Sequence, residues 1–142
     1  MKILVTGAAG YIGATFCYAC LKKGYKVIGV DNFINSSKKN IKILEKEFPG
    51  NFHFIELDLA ISSSAVENKL QNMLCDVVVH FAGLKAVGES QNQVIRYWEN
   101  NLISTLNLIK VMKKNNMNKL IFSSSATIYC LLYTSPSPRD VL

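Results

Sequence analysis

The sequence predicts an α/β protein built on a doubly wound parallel sheet. Three observations carry that prediction. Lys2 to Gly13 reads KILVTGAAGYIG, an apolar run that breaks into glycines at Gly7, Gly10 and Gly13. Apolar runs suited to strands buried on both faces then alternate with stretches of helical spacing along the chain. Asp31 stands at the end of the second such run, where a carboxylate can accept both hydroxyls of a ribose.

Ile3, Leu4 and Val5 make the first strand. In the turn that follows, Gly7 lets the backbone reverse sharply, Gly10 lets it approach a phosphate, and Gly13 lets a helix pack closely on the strand. From Tyr11 onward apolar residues recur at helical spacing, with Ile12, Phe16 and Cys20 as the expected buried stripe. Val27 to Val30 is the second strand. Ser36 to Phe48 reads as a helix with Ile41, Leu44 and Phe48 inward, stopped by Pro49-Gly50. A third strand spans Phe52 to Leu57 and is closed by Asp58, and Ile61 to Leu74 carries Val66, Leu70 and Leu74 at helical spacing. Val77 to Phe81 has the continuous apolar character of a central strand. Ala82 to Ser90 is expected to be a loop, followed by a long helix with the core stripe Ile95, Trp98, Leu102, Leu106 and Ile109. Lys119 to Ser123 supplies the fifth strand.

Right-handed crossovers between these strands give the order 3-2-1-4-5. A ligand crevice then lies at the carboxyl ends of the strands: the glycine turn, Asp31, Asp58, Phe81 to Lys85, and Ser123 to Ser125.

A chain of 142 residues is one domain or part of a larger one, and 49% apolar against 18% charged residues implies a buried core rather than disorder. The net charge of +6 is spread over separate lysine groups at helix ends and polar faces, which implies a solvated surface and no nucleic-acid partner. No apolar run approaches bilayer length, and Met1-Lys2 leads straight into a core strand without a leader, so a cytoplasmic protein with no membrane partner is expected. Cys17 and Cys20 form a C-x-x-C inside the first helix. A redox pair belongs at a helix N-terminus and a zinc site needs a second ligand pair, so packing is the expected role and no metal is expected. Cys75 is read the same way, consistent with a reducing compartment. His80 ends a buried strand and reads as a core histidine, whereas His53 reads as exposed.

Three segments carry a family likeness. GAAGYIG, HFAGLKAVGES (His80 to Ser90) and FSSSATIY (Phe122 to Tyr129) together resemble the UDP-glucose 4-epimerases of the extended short-chain dehydrogenase family, over Met1 to Tyr129. The glycine triplet alone marks a superfamily; KAVGES followed by SSSATIY narrows it. The resemblance implies a Rossmann-like domain and a tightly held NAD that takes hydride from C4 of a UDP-sugar and returns it to the opposite face after the keto sugar rotates. That chemistry interconverts UDP-glucose and UDP-galactose in galactose metabolism.

Carried over by position, the resemblance assigns Gly7, Gly10, Tyr11, Ile12 and Gly13 to the pyrophosphate. It assigns Asp31, Asn32, Asn35 and Ser36 to the adenosine ribose and its surroundings, and Asp58 and Leu59 to the adenine. Phe81, Ala82, Gly83 and Lys85 fall to the nicotinamide half, and Asn100 to a further cofactor contact. Ser125 is the implied catalytic serine, and the parent protein is expected to be a homodimer. The residues agree with this chemistry. Hydride leaves C4 only as its hydroxyl loses a proton, which needs a hydroxyl donor and a base in line, and Ser125 can orient that hydroxyl.

The chain departs from the family after that point. The family's base is a tyrosine in Tyr-x-x-x-Lys about one helix beyond the serine, and no such pair follows Ser125. Tyr18 with Lys22 has the spacing but lies in the first helix, away from the crevice. Cys130 to Asp140 reads CLLYTSPSPRD, which resembles the in-frame translation of a sequencing-library adapter. The expectation is an incomplete NAD-binding domain over residues 1–129, truncated after the fifth strand, with residues 130–142 a non-native tail and the chain itself inactive. Two alternatives stand. A nucleotide-sugar 4,6-dehydratase or another sugar-nucleotide epimerase is one, although a dehydratase places an Asp-Glu pair where this chain has Ala126 and Thr127. The other, of a different class, is a dinucleotide-sensing module that never turns over.

Overall fold

The computed structural model describes residues 1–124, the side chain of Val87 excepted. Strands β1 (Lys2–Thr6), β2 (Lys26–Asp31), β3 (Phe52–Glu56), β4 (Val77–His80) and β5 (Leu120–Phe122) form a five-stranded sheet in the order β3-β2-β1-β4-β5. All four pairings are parallel. The expected order and the Rossmann-like winding are thus observed. The helices are α1 (Tyr11–Lys22), α2 (Lys38–Glu47), α3 (Ser63–Lys69), α4 (Val87–Asn92) and α5 (Val94–Lys114).

Alternation along the strands sorts the helices into two layers. Ile3 and Val5 pack with Cys17, Cys20 and Leu21 of α1 and with Ile41 and Leu44 of α2. Leu4 points the other way, into a cluster with Val66, Leu70, Leu108 and Val111. Each such fully buried aliphatic side chain stabilises the fold by roughly 1.5–3 kcal/mol relative to exposure. Thr6 pairs with His80, which pairs with Phe122, so the carboxyl ends of β1, β4 and β5 finish side by side.

Several expectations need correction. Ile12 is not part of the buried stripe of α1: it is 57% exposed, and the buried positions are Gly13, Cys17, Cys20 and Leu21. Gly13 must face the strand, because a Cβ there would stand 2.0 Å from the carbonyl oxygen of Gly7, and Ile12 is rotated about 100° away from it. The third helix stops at Lys69, Asn72 takes φ +60°, and the chain turns, which leaves Leu74 exposed rather than in the core. Part of the segment Ala82 to Ser90 is helical, as the first residues of α4.

The long helix presents the opposite face from the one expected. Ile95, Trp98, Leu102, Leu106 and Ile109 are all exposed, and the buried positions of α5 are Tyr97, Ser104, Asn107, Leu108, Val111 and Met112. Hydrophobic periodicity favours the outer face because the inner face carries polar side chains that bond to neighbouring loops. Cys17 and Cys20 are free and buried, and burial pushes the Cys17 thiol up to about 12, out of the range of a redox nucleophile. Among the described residues no helix is long and apolar enough to cross a membrane.

Candidate functional site

The loops that leave β1, β2, β3 and β4 converge on one open crevice at the carboxyl edge of the sheet. Gly7, with φ +70°, turns the chain against the loop after β4, and a Cβ there would lie 2.8 Å from the Ala82 nitrogen. Gly10 differs. A Cβ on it would meet only the Gly7 oxygen, at 3.4 Å, so the chain's own packing does not demand glycine, and the missing side chain leaves the crevice wall open. Gly13 serves helix packing and does not line the crevice. In α1 the first intrahelical bond runs from Ala14 N–H to the Gly10 carbonyl at 2.9 Å. The N–H groups of Tyr11, Ile12 and Gly13 precede it, with no side-chain cap and no acidic residue in the first turn, which suits an anion. The side chains of Tyr11 and Ile12 are exposed and lie outside the lining.

Asp31 sits at the end of β2, and its carboxylate is held by three donors: Ala9 N–H at 2.9 Å, Phe33 N–H at 2.8 Å and the Ser36 hydroxyl at 2.9 Å. The first bond ties β2 to the glycine turn; the others fold residues 31–36 back over the crevice. Asn32, Asn35 and Ser36 line it beside Asp31. Lys38, the first cation after Asp31 in sequence, pairs instead with Glu56 at 2.9 Å and lies 5.0 Å from the centre of the Phe33 ring. After β3, Asp58 and Leu59 line the crevice, and the Asp58 carboxylate accepts from Ala60 N–H at 2.8 Å.

After β4 the lining comes from Phe81, Ala82, Gly83 and Leu84, with Asn100 and Ser104 reaching in from α5. Lys85 is exposed and outside the lining. Ser125 lies outside the described residues, as does the 130–142 tail. Of the residues the resemblance nominates, the crevice therefore gathers those of all four loops except Tyr11, Ile12, Gly13 and Lys85.

His80 organises the wall behind this loop. Thr105 directs its hydroxyl proton to the Asn101 carbonyl at 2.8 Å, so its oxygen accepts from His80 Nε2–H at 3.0 Å. Nδ1 is then the acceptor, taking the Thr6 hydroxyl proton at 2.6 Å, and the Thr6 oxygen in turn accepts from Ala82 N–H at 3.2 Å. Burial, with a smaller contribution from the Lys85 charge, lowers the His80 pKa to about 4. It is a core histidine, as its place at the end of a buried strand predicts.

The folded state disfavours the protonated ring, so His80 contributes stability that is complete above the ordinary value of 6.5 and is lost as pH falls through about 4. Thr6, Thr105 and Phe122 contact the ring, the Lys85 charge acts on it in the same direction as burial, and none of these is an acid that would offset this. Urea midpoints between pH 6.5 and 4 should fall more steeply for the parent protein than for His80→Gln, by up to about 1.4 kcal/mol per pH unit. Equal slopes would contradict the assignment.

Comparison with known proteins fits this geometry. A family model described as the NAD dependent epimerase/dehydratase family matches residues 3–139. The chain belongs to that family. Within that family, the chain is 45% identical over 127 residues to UDP-glucose 4-epimerase of Schizosaccharomyces pombe, covering 89% of the chain and 36% of that protein. It is 41% identical over 140 residues to UDP-glucose 4-epimerase of Bacillus subtilis, covering 99% of the chain and 41% of that protein. The crystal structure of UDP-glucose 4-epimerase from Bifidobacterium longum, in complex with NAD+ and UDP, superposes with a TM-score of 0.83 at 46% identity, covering 91% of this chain and 38% of that one. The chain thus spans 36–41% of the length of these relatives.

Sequence reasoning missed Ser104 in the lining and the residues that hold the crevice from behind: Thr6, Asn101, Thr105 and Asn107. A signal existed. Polar side chains recurring along one face of a helix that flanks a sheet mark the face that bonds to its neighbours, and on α5 Asn101 and Asn107 bond loop backbone while Thr105 bonds His80.

Proposed function

We propose that the whole protein interconverts UDP-glucose and UDP-galactose by inverting C4 of the sugar, with NAD held in the crevice. The observation that carries this reading is the convergence of the glycine turn, the Asp31 loop, Asp58-Leu59 and Phe81 to Leu84 on one site, in a chain 41–45% identical to two UDP-glucose 4-epimerases. Held there, NAD would supply the hydride acceptor and donor for C4. The residues present fit it. Gly10 leaves a Cβ-free wall at the N-terminus of α1, whose first-turn N–H groups would bond the pyrophosphate. Asp31 would accept the ribose hydroxyls, and Asn32, Asn35 and Ser36 would surround them; Asp58 and Leu59 would flank the adenine. Phe81, Ala82, Gly83 and Asn100 would bound the nicotinamide half, with Lys85 at its mouth. Ser125 would hydrogen-bond the C4 hydroxyl and hold its proton in line for removal.

NAD is favoured over NADP because a 2′-phosphate would meet the Asp31 carboxylate, and Lys38 is engaged by Glu56. Asp31→Ala should therefore lower the NAD-to-NADP affinity ratio by about tenfold or more in a binding titration. An unchanged ratio would sink the ribose assignment.

The reading includes a UDP-sugar substrate, a cytoplasmic location and a homodimer. The free, buried Cys17 and Cys20 support the second, and the outward apolar side chains Trp98, Leu102 and Leu106 of α5 support the third. It also includes a non-native tail over residues 130–142. Genomic DNA that diverges after Tyr129 toward a Tyr-x-x-x-Lys is the result expected; codons continuing through Cys130 to Asp140 would refute it.

A further inference from the structure

We infer that the inner face of α5 is a rigid spacer that positions both ends of the cofactor crevice, through Asn107 at the loop after β3 and Asn101 at the loop after β4. Neither side chain lines the crevice, so both act as positioning residues, and the inference rests on the NAD reading above.

Loops that leave the end of a parallel sheet lose their ladder partners, and their buried backbone groups need others. Asn107, 3% exposed, supplies them on one side: its Nδ2 donates to the Leu59 carbonyl at 2.9 Å and to the Ile61 carbonyl at 2.8 Å. Leu59 is itself a lining residue at the adenine end. On the other side Asn101 imitates a strand partner. Its Oδ1 accepts from Leu84 N–H at 2.7 Å while its Nδ2 donates to the Leu84 carbonyl at 3.0 Å. The same Oδ1 accepts from Asn100 at 3.1 Å, and a Cβ on Gly83 would approach it to 3.2 Å, so the loop is seated closely on the helix. Thr105 fastens this end a second time, through His80 and Thr6 to Ala82 N–H.

Six residues of α-helix separate the two amides, a rise of about 9 Å that cannot vary without breaking helix hydrogen bonds. The helix thereby sets the separation of the adenine and nicotinamide loops. A merely structural pair of asparagines would, on removal, weaken every ligand alike. A spacer with two independent ends predicts a split by ligand.

The test titrates the purified protein with NAD and, separately, with ADP, which carries the adenosine and the pyrophosphate without the nicotinamide riboside. Asn107→Ala should weaken both ligands by about tenfold, while Asn101→Ala should weaken NAD by about tenfold and leave ADP within about twofold. Equal losses of both ligands in both variants, or no loss in either, would overturn the inference. Sound binding by the unaltered protein with no split sinks the spacer alone, whereas no binding of either ligand by the unaltered protein sinks the NAD reading beneath it.

Asn101→Asp keeps the acceptor for Leu84 N–H and loses the donor, and it carries the test if the alanine variant does not fold. It should retain slow hydrogen exchange at the Leu84 amide with an intermediate loss of NAD affinity. Fast exchange at Leu84 in the unaltered, ligand-free protein would also count against the clamp.

Discussion

Gly13→Ala is expected to unfold the protein or strip it of nucleotide binding. The added methyl would stand 2.0 Å from the Gly7 oxygen, 2.8 Å from the Gly7 carbonyl carbon and 3.1 Å from the Ala8 Cα. All three are backbone atoms of the turn itself. Relief requires α1 to lift from β1, which uncovers Cys17, Cys20 and Leu21 and opens the turn at the same time. A loss of about 4 kcal/mol or more is the scale for such a clash. Two other glycines calibrate it. Gly24 has φ +79° with open space around it, so Gly24→Ala should cost about 1 kcal/mol for the backbone conformation alone. Gly88 lies in α4 with nothing near its absent Cβ, so Gly88→Ala should be neutral or slightly stabilising. Urea unfolding of the three variants checks the order, and a Gly13→Ala midpoint no lower than that of Gly24→Ala would contradict the packing argument.

Ser125→Ala should lower the epimerisation rate of the whole protein by about two to four powers of ten while leaving NAD binding intact. The argument is chemical. Its proposed partner is the sugar hydroxyl, whose proton must be held in line while hydride leaves the same carbon, and an alanine leaves that hydroxyl unoriented. Ser123 follows β5 directly, and its N–H bonds the His80 carbonyl at 3.1 Å, so Ser123 stands beside the start of the loop after β4. A larger loss for Ser123→Ala or Ser124→Ala than for Ser125→Ala would assign the role to another serine. Wild-type rates in Ser125→Ala would remove it altogether.

The sheet was legible because β1, β2 and β4 are apolar runs bounded by glycine or acid, and the burial of Ile3, Leu4, Val5, Val78 and Val79 on both faces is what a parallel sheet covered by helices requires. The four crevice loops followed from the strand order. The orientation of α5 was not legible in the same way. Its two faces compete, one carrying Trp98, Leu102 and Leu106, the other Ser104, Asn107 and Leu108, and hydropathy ranks them in the wrong order. A side-chain amide facing a sheet is valuable for the loop carbonyls it meets, and those partners are distant in sequence: Asn107 lies 48 residues from Leu59. The exposure of Ile12 has a similar origin, since the rotation of α1 is fixed by contact between two backbones at Gly7 and Gly13 rather than by side-chain hydrophobicity.

The most direct test of the central claim is to supply the whole protein with NAD and UDP-galactose and to follow the sugar signals by proton NMR. Conversion toward an equilibrium mixture with UDP-glucose, abolished by Ser125→Ala, is the result predicted. A protein that binds NAD yet leaves UDP-galactose unchanged, or converts it to a 4-keto-6-deoxy sugar, would contradict it.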